Sequence, residues 1–136
     1  MSIYIFLFGL IIGSFLNVLI YRLPKKKSII RPGSYCSQCE TRLKPKDLIP
    51  VFSFLIYRGR CRYCNNKISW QYPIVELLTG ILFLILYLKY ELTVKYLYYI
   101  LLTSLLIVSS LIDLRYMIIP NKITYTGIVF ALISSI

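Results

Sequence analysis

Nineteen consecutive residues, Ile3 to Tyr21, carry no charge. About 20 apolar residues in helical form cross a hydrocarbon layer. In lipid only a helix or a closed barrel satisfies its own backbone polar groups. A second apolar run covers about Pro73 to Leu88, and a third runs from about Tyr96 to Ile112 and ends on Asp113. A fourth covers Ile123 to Ile136. The chain is 58% hydrophobic with mean hydropathy +0.72, yet its 16 Lys+Arg against 5 Asp+Glu leave +11. Such opposed properties must be segregated along the chain. This excludes intrinsic disorder, which requires few apolar residues, and argues against one compact soluble globule. With no histidine present, mechanisms built on a His base, a His metal ligand or a Ser-His-Asp triad are excluded too.

The charge collects in one place. Residues 22–72 hold twelve Lys/Arg, only Glu40 and Asp47 as acids, all four cysteines and four of the six prolines. The expected fold is an all-α polytopic membrane protein with a small cytoplasmic zinc-ribbon-like insert. Residues 1–21 form the first transmembrane helix, 22–72 the four-Cys zinc-binding loop, and 73–136 helices two, three and part of four. The last run has 14 residues and would cover about 21 Å of a ~30 Å layer. The chain therefore reads as truncated in its fourth transmembrane helix. A signal peptide is not expected, because no basic residue precedes the first run and no A-x-A-like site follows it. No internal repeat is visible.

Positive charge also sets the orientation. The insert and the 114–122 loop, with Arg115 and Lys122, belong to the cytoplasm. The opposite side has only Lys89 and Lys95, and the N-terminus is expected outside.

Cys36-Ser-Gln-Cys39 and Cys61-Arg-Tyr-Cys64 are two C-x2-C pairs separated by 21 residues. Paired knuckles of this spacing present four thiolates tetrahedrally to zinc. The alternative is two disulfides, which a reducing cytoplasm disfavours. The insert has too few apolar residues for a core of its own, and a structural metal would supply stability. Four Cys ligands leave no open position, so the zinc is expected to be structural.

On the first helix Gly9, Gly13, Asn17 and Tyr21 recur every fourth residue. The glycines permit close helix approach, and Asn17 requires a partner, so this face must meet protein. Glu76 follows Pro73 in the first turn of the second helix, where the dipole favours an anion. That leaves it either a helix-start stabiliser or a functional group. Asp113 ends the third helix, where the dipole disfavours it. Either it pairs with Arg115 at the surface, or it is a functional carboxyl at the membrane edge. A hydrolase built on carboxyls alone needs two: one as base for water, one protonated to polarise the carbonyl. Asp113 has no second Asp beside it in this sequence.

Taken together, four segments resemble the type IV prepilin peptidase family, the bacterial prepilin leader peptidase/N-methyltransferases. They are Gly13-Ser-Phe-Leu-Asn17-Val-Leu-Ile-Tyr-Arg-Leu-Pro24, the four-Cys loop, Tyr72-Pro-Ile-Val-Glu76-Leu-Leu-Thr79, and Ile112-Asp113-Leu-Arg-Tyr-Met-Ile-Ile-Pro120-Asn121. The resemblance is collinear over the whole chain. It implies a membrane aspartic endopeptidase of the bacterial cytoplasmic (inner) membrane that removes basic leaders from prepilins or pseudopilins at the cytoplasmic face. It makes Asp113 the first catalytic aspartate and Cys36, Cys39, Cys61 and Cys64 the zinc ligands. Many members then methylate the new N-terminus with S-adenosylmethionine, and Glu76 matches an acidic position in the region linked with that step. The family's second Asp lies in a later Gly-x-Gly-Asp that this sequence does not reach, so the chain alone is expected to be inactive. Arg115 stands where the family often has an acid, and the knuckles lack a frequent Cys-Pro start.

The competing expectation is a non-proteolytic zinc-binding membrane subunit, or a methyltransferase-like module. Nucleic acid is not expected as a partner, although Tyr63 and Trp70 lie among the basic residues, because cytoplasmic loops are basic for topological reasons.

Overall fold

A computed structural model describes residues 1–31, 33–36 and 38–135. Four long helices carry the apolar runs: α1 Ser2–Arg22, α3 Gln71–Tyr90, α4 Val94–Tyr116 and α5 Asn121–Ser135. Between α1 and α3 lie a 3₁₀ turn, Pro45–Leu48, and a short helix, α2 Phe52–Ile56. The first three long helices are each long and apolar enough to cross a membrane. The all-helical expectation thus holds for the described residues, with the four-cysteine insert between the first two spans. Ile136, the last residue of the fourth expected run, lies outside the described residues.

The helices overrun their apolar cores. The turn between α3 and α4 shrinks from the expected Lys89–Lys95 to residues 91–93, where the Thr93 side chain accepts from the Tyr96 N–H. Met117 then ends α4 in a left-handed conformation, φ 54, with its N–H bonded to Asp113 O at 2.8 Å. The last loop is therefore only residues 117–120, and α5 starts directly after Pro120.

α1 and α3 run antiparallel and nearly touch backbone to backbone. A Cβ on Gly9 would sit 2.6 Å from Gly80 Cα, and one on Gly13 would sit 2.7 Å from Glu76 Cα. One turn further on, Asn17 Nδ2 donates to Tyr72 O at 3.0 Å. The small-residue face read from the sequence therefore meets α3, and Asn17 has the protein partner it required. Above this seam Leu16, Ile20, Val75, Ile107, Val108, Ile112 and Ile123 form one buried cluster drawing on all four long helices. Phe83, Tyr96 and Ile100 form a second at the other end, where Tyr87 packs edge-on against Tyr96. Elsewhere the helices expose apolar side chains: Ile3, Ile85, Leu106 and Ile133 are all more than half exposed. Outward apolar faces on helices of this length suit a lipid solvent.

Overpacking a seam this tight costs about 1–3 kcal/mol. Gly13→Leu should lower the thermal unfolding midpoint in detergent by several degrees. Gly127→Ala should leave it unchanged or slightly raised, since nothing lies within 4 Å of a Cβ there. Equal midpoints for the two variants would refute the seam.

Candidate functional site

The four cysteine sulfurs lie within 4.8 Å of one another. Cys36 and Cys64 Sγ are 3.8 Å apart, and Cys39 and Cys61 Sγ are 4.0 Å apart. Four sulfurs held about 2.3 Å from one ion form a tetrahedron with edges of about 3.8 Å. The residues therefore fit a metal ion such as zinc. None of the four is joined in a disulfide in this structure, and the four-way convergence fits a shared ion better than two separate S–S bonds.

The local fold explains how the sulfurs converge. In the first knuckle the Cys36 N–H bonds to Thr41 O, the Glu40 N–H to Cys36 O and the Leu43 N–H to Ser34 O. In the second, the Cys61 N–H bonds to Asn66 O, the Asn65 N–H to Cys61 O and the Ile68 N–H to Gly59 O. An isolated bridge closes each, Tyr35 with Arg42 and Arg60 with Lys67. Glu40 and Asn65 occupy the same position with φ 55 and 56. Every element recurs 25 residues later, so the insert is a structural repeat, contrary to the expectation of none. The side chains had diverged too far to show it; only the cysteines and the pairs Arg42-Leu43 and Lys67-Ile68 keep their character.

Asp47 ties the knuckles to the 3₁₀ turn. Its side chain is only 3% exposed; it accepts from the Lys44 N–H at 3.0 Å, the Tyr63 hydroxyl at 2.9 Å and Arg62 Nη1 at 3.4 Å. Burial pushes its carboxyl up, but these donors together outweigh it and hold the group below its usual range. The same contact raises both Tyr63 and Arg62. Among the thiols, hydrogen bonds from Thr41 lower Cys39 to about 6. The Asn66 backbone favours the Cys64 thiolate, but burial and the neighbouring sulfurs outweigh it and push that thiol up to about 11.

A cavity of about 390 Å³ separates the insert from the membrane helices. Asn17, Tyr21, Tyr72, Glu76 and Arg115 line it from the helix side, and Cys36 and Cys61 from the insert. Glu76 is in the second turn of α3, not the first, because the helix starts two residues before Pro73. Ser69 supports that earlier start by accepting the Gln71 N–H. The helix-start role is therefore lost, and the carboxylate serves a different donor: Glu76 Oε2 accepts the Val51 N–H at 2.7 Å. Val51 needs that help. Its φ of 62 and ψ of −49, with the Phe52 N–H on Pro50 O at 2.6 Å, make a strained γ-turn. Such a conformation costs about 1–3 kcal/mol and concentrates at functional sites. No cation pairs with Glu76; among the described residues the one ion pair is Asp47 with Arg62.

Arg22, which the sequence offers as a topological charge and as part of the Gly13–Pro24 segment, is buried. It donates to Ser28 O and Ile29 O, each at 3.1 Å, and to Gly33 O at 3.3 Å, clamping the start of the insert onto the end of α1. Its position as the first charge after an apolar run gave no sign of this.

Asp113 stands apart from this cavity. It lies on the last turn of α4, exposed, with no ion pair to Arg115 among the described residues. Arg115 instead faces the cavity beside Tyr72. The bland pairing left open by the sequence is thus absent. The structure brings Cys36, Cys61 and Glu76 to one cavity and leaves Asp113 outside it.

Helices of membrane-spanning length carrying a docked four-cysteine insert define a polytopic membrane protein with an appendage whose cysteines fit a metal ion. Residues 7–90 match the bacterial peptidase A24 N-terminal domain, and residues 100–136 match the type IV leader peptidase family; the chain belongs to this family. It is 42% identical over 126 residues to a prepilin leader peptidase/N-methyltransferase of Myxococcus xanthus, covering 93% of this chain and 38% of that protein. It is 40% identical over 119 residues to one of Bacillus subtilis, covering 88% and 48%. A type 4 prepilin-like proteins leader peptide-processing enzyme of Escherichia coli is 38% identical over 145 residues, covering 90% and 54%. The chain thus spans about half the length of the curated relatives it matches. No solved structure matches it.

The cluster should take up about one zinc per chain with all four thiolates bound. Cys61→Ser should weaken this by orders of magnitude, as measured by metal analysis after gel filtration. Asp47→Asn should keep the stoichiometry but speed loss of metal to a chelator. The support from Asp47 is complete at neutral pH. It is lost only as pH falls through the lowered carboxyl pKa, below the pH at which protonated thiols release the metal, so the variant's excess chelator sensitivity should be undiminished between neutral and mildly acidic pH.

Proposed function

We propose that this chain is the N-terminal part of a membrane aspartic endopeptidase that removes leader peptides from type IV prepilins or pseudopilins. The supporting observation is Asp113: an exposed carboxyl on the last helical turn before a tight loop, inside the region that matches the leader peptidase family. With twelve basic residues in the insert, the positive-inside bias puts the cysteine loop and Asp113 on the cytoplasmic side and the N-terminus outside. The proposed home is the bacterial cytoplasmic membrane.

In this reading Asp113 supplies one of two carboxyls. An ionised partner takes a proton from water, a protonated one donates to the scissile carbonyl, and like charges held close give them different pKa values. The second carboxyl is expected from the Gly-x-Gly-Asp that the family carries on a later helix. This chain by itself is proposed to be inactive. The membrane edge suits the task, since water reaches it from one side and the apolar helix of a pilin from the other.

The cavity supports a second activity, N-methylation of the new terminus. Its volume lies in the range of small-molecule sites. Its buried Glu76 carboxylate lacks a cationic partner, and both S-adenosylmethionine and a peptide amine bring one. Bound there, S-adenosylmethionine would supply the methyl group from its sulfonium. Glu76 would hold the positive charge, and Asn17 and Tyr72 would line the site. The metal is proposed to be structural zinc that holds the roof of this cavity, with no open position for chemistry. A non-proteolytic membrane subunit remains the second reading, because the cavity is built without Asp113.

In the protein expressed from its complete reading frame, Asp113→Asn should reduce prepilin cleavage at least about a thousandfold, as expected when a group that works as a unit with its partner is removed. Zinc content should be unaffected. Retained cleavage would refute the assignment of Asp113. Glu76→Gln should depress methylation of a pre-cleaved pilin peptide more than it depresses cleavage.

A further inference from the structure

We propose that the segment Ile49–Ile56, with Trp70, lies in the bilayer interface as a shallow apolar wedge, although the sequence places it in the polar insert. Ile49, Phe52, Leu55, Ile56 and Trp70 are 43–68% exposed, and four of the five fall within one stretch of eight residues. On α2, Phe52, Leu55 and Ile56 follow i, i+3, i+4 spacing and so share a face. Phe54 turns the opposite way, buried against Gly59 and packed on Trp70 with ring centroids 4.9 Å apart.

Depth decides what covers this patch. The Val51 N–H is bonded to Glu76, five residues inside α3, or about 7.5 Å along the axis. α3 has 20 residues, about 30 Å, which matches the hydrocarbon layer and places its first residue at the boundary. α1 agrees in direction, placing this contact on the apolar side of its own first charge. Glu76 packs at Gly13, nine residues before Arg22, the first charge, or about 13 Å below it. The segment is therefore held at the depth interfacial helices reach, about 5–10 Å into the headgroup and acyl boundary. Exposed Lys44, Lys46, Arg58 and Arg60 flank it, and the insert carries twelve basic residues to two acidic. Cationic flanks around an apolar face suit an anionic lipid surface. The occupant is lipid, and α2 with its γ-turn anchors the metal insert to the membrane at a point other than its two ends.

Trp70 is the chain's one tryptophan, so fluorescence can locate the segment. Three single-Trp proteins are reconstituted in phosphatidylcholine–phosphatidylglycerol vesicles: the unaltered chain, Leu55→Trp with Trp70→Phe, and Ile81→Trp with Trp70→Phe, position 81 lying about 15 Å from the start of α3 and exposed. Zinc content verifies that each insert is folded, and Ile56→Trp replaces Leu55→Trp if that variant loses its metal. Lipids brominated near the headgroup end of the acyl chain should remove most of the emission at positions 55 and 70, and aqueous iodide should remove little. Deep bromines should quench position 81. Iodide quenching at position 55 without bromine quenching would place the wedge in water and overturn the proposal. Resistance to both would mean that protein covers it, which also overturns the proposal. Failure of deep quenching at position 81 would overturn it together with the span of α3.

Discussion

Close backbone contact between α1 and α3 governs the rest of the structure. Gly9 and Gly13 leave no room for a side chain opposite Gly80 and Glu76. In lipid there is little hydrophobic drive between helices, so such contact rests on dispersion and on polar groups paired across it. Asn17 with Tyr72 O supplies the polar pair. The register it fixes sets the height of Glu76, and Glu76 sets the height of Val51 and the entire metal insert. A slip of one helical turn would displace the cavity as well as the core.

The insert solves a different problem. A segment of about fifty residues, twelve of them basic, buries too little apolar surface to hold a fold by itself. Order comes from short backbone hydrogen bonds in two matching knuckles, from Asp47 gathering three donors, and from four thiolates placed to share one ion. Arg22 and Glu76 join this unit to the helices through backbone groups rather than through side-chain ion pairs. Such bonds fix position without depending on the exposed charges around them, which salt screens.

Much of the architecture was legible in the order of residues. Apolar runs located the long helices, and the four-residue spacing from Gly9 to Tyr21 identified the face that meets α3. The cysteine spacing identified the metal cluster. Helix ends were less legible, because Gln71, Tyr72, Asn121 and Lys122 are polar residues that continue a helix once their N–H groups are capped or solvated. The knuckle repeat escaped notice because it is carried by main-chain hydrogen bonds and by φ at Glu40 and Asn65, and these leave little trace in side-chain identity. Arg22 and Asp47 looked like ordinary surface charges, since burial depends on neighbours distant in the chain.

The sequence by itself determined what the solvent is: apolar runs of spanning length and a basic insert can be satisfied together only at a membrane, and two C-x2-C pairs only by converging sulfurs. Only the tertiary structure decided that Glu76 supports a strained turn rather than a helix start, and that Arg115 faces the cavity while Asp113 does not. It also decided that an apolar stretch of the insert descends to the level of the second turn of α3. The physical reason is range. Hydropathy and ligand spacing are local properties, written in neighbouring residues, whereas the pairing of Glu76 with Val51 spans 25 residues and exists only once two helices have packed glycine to glycine.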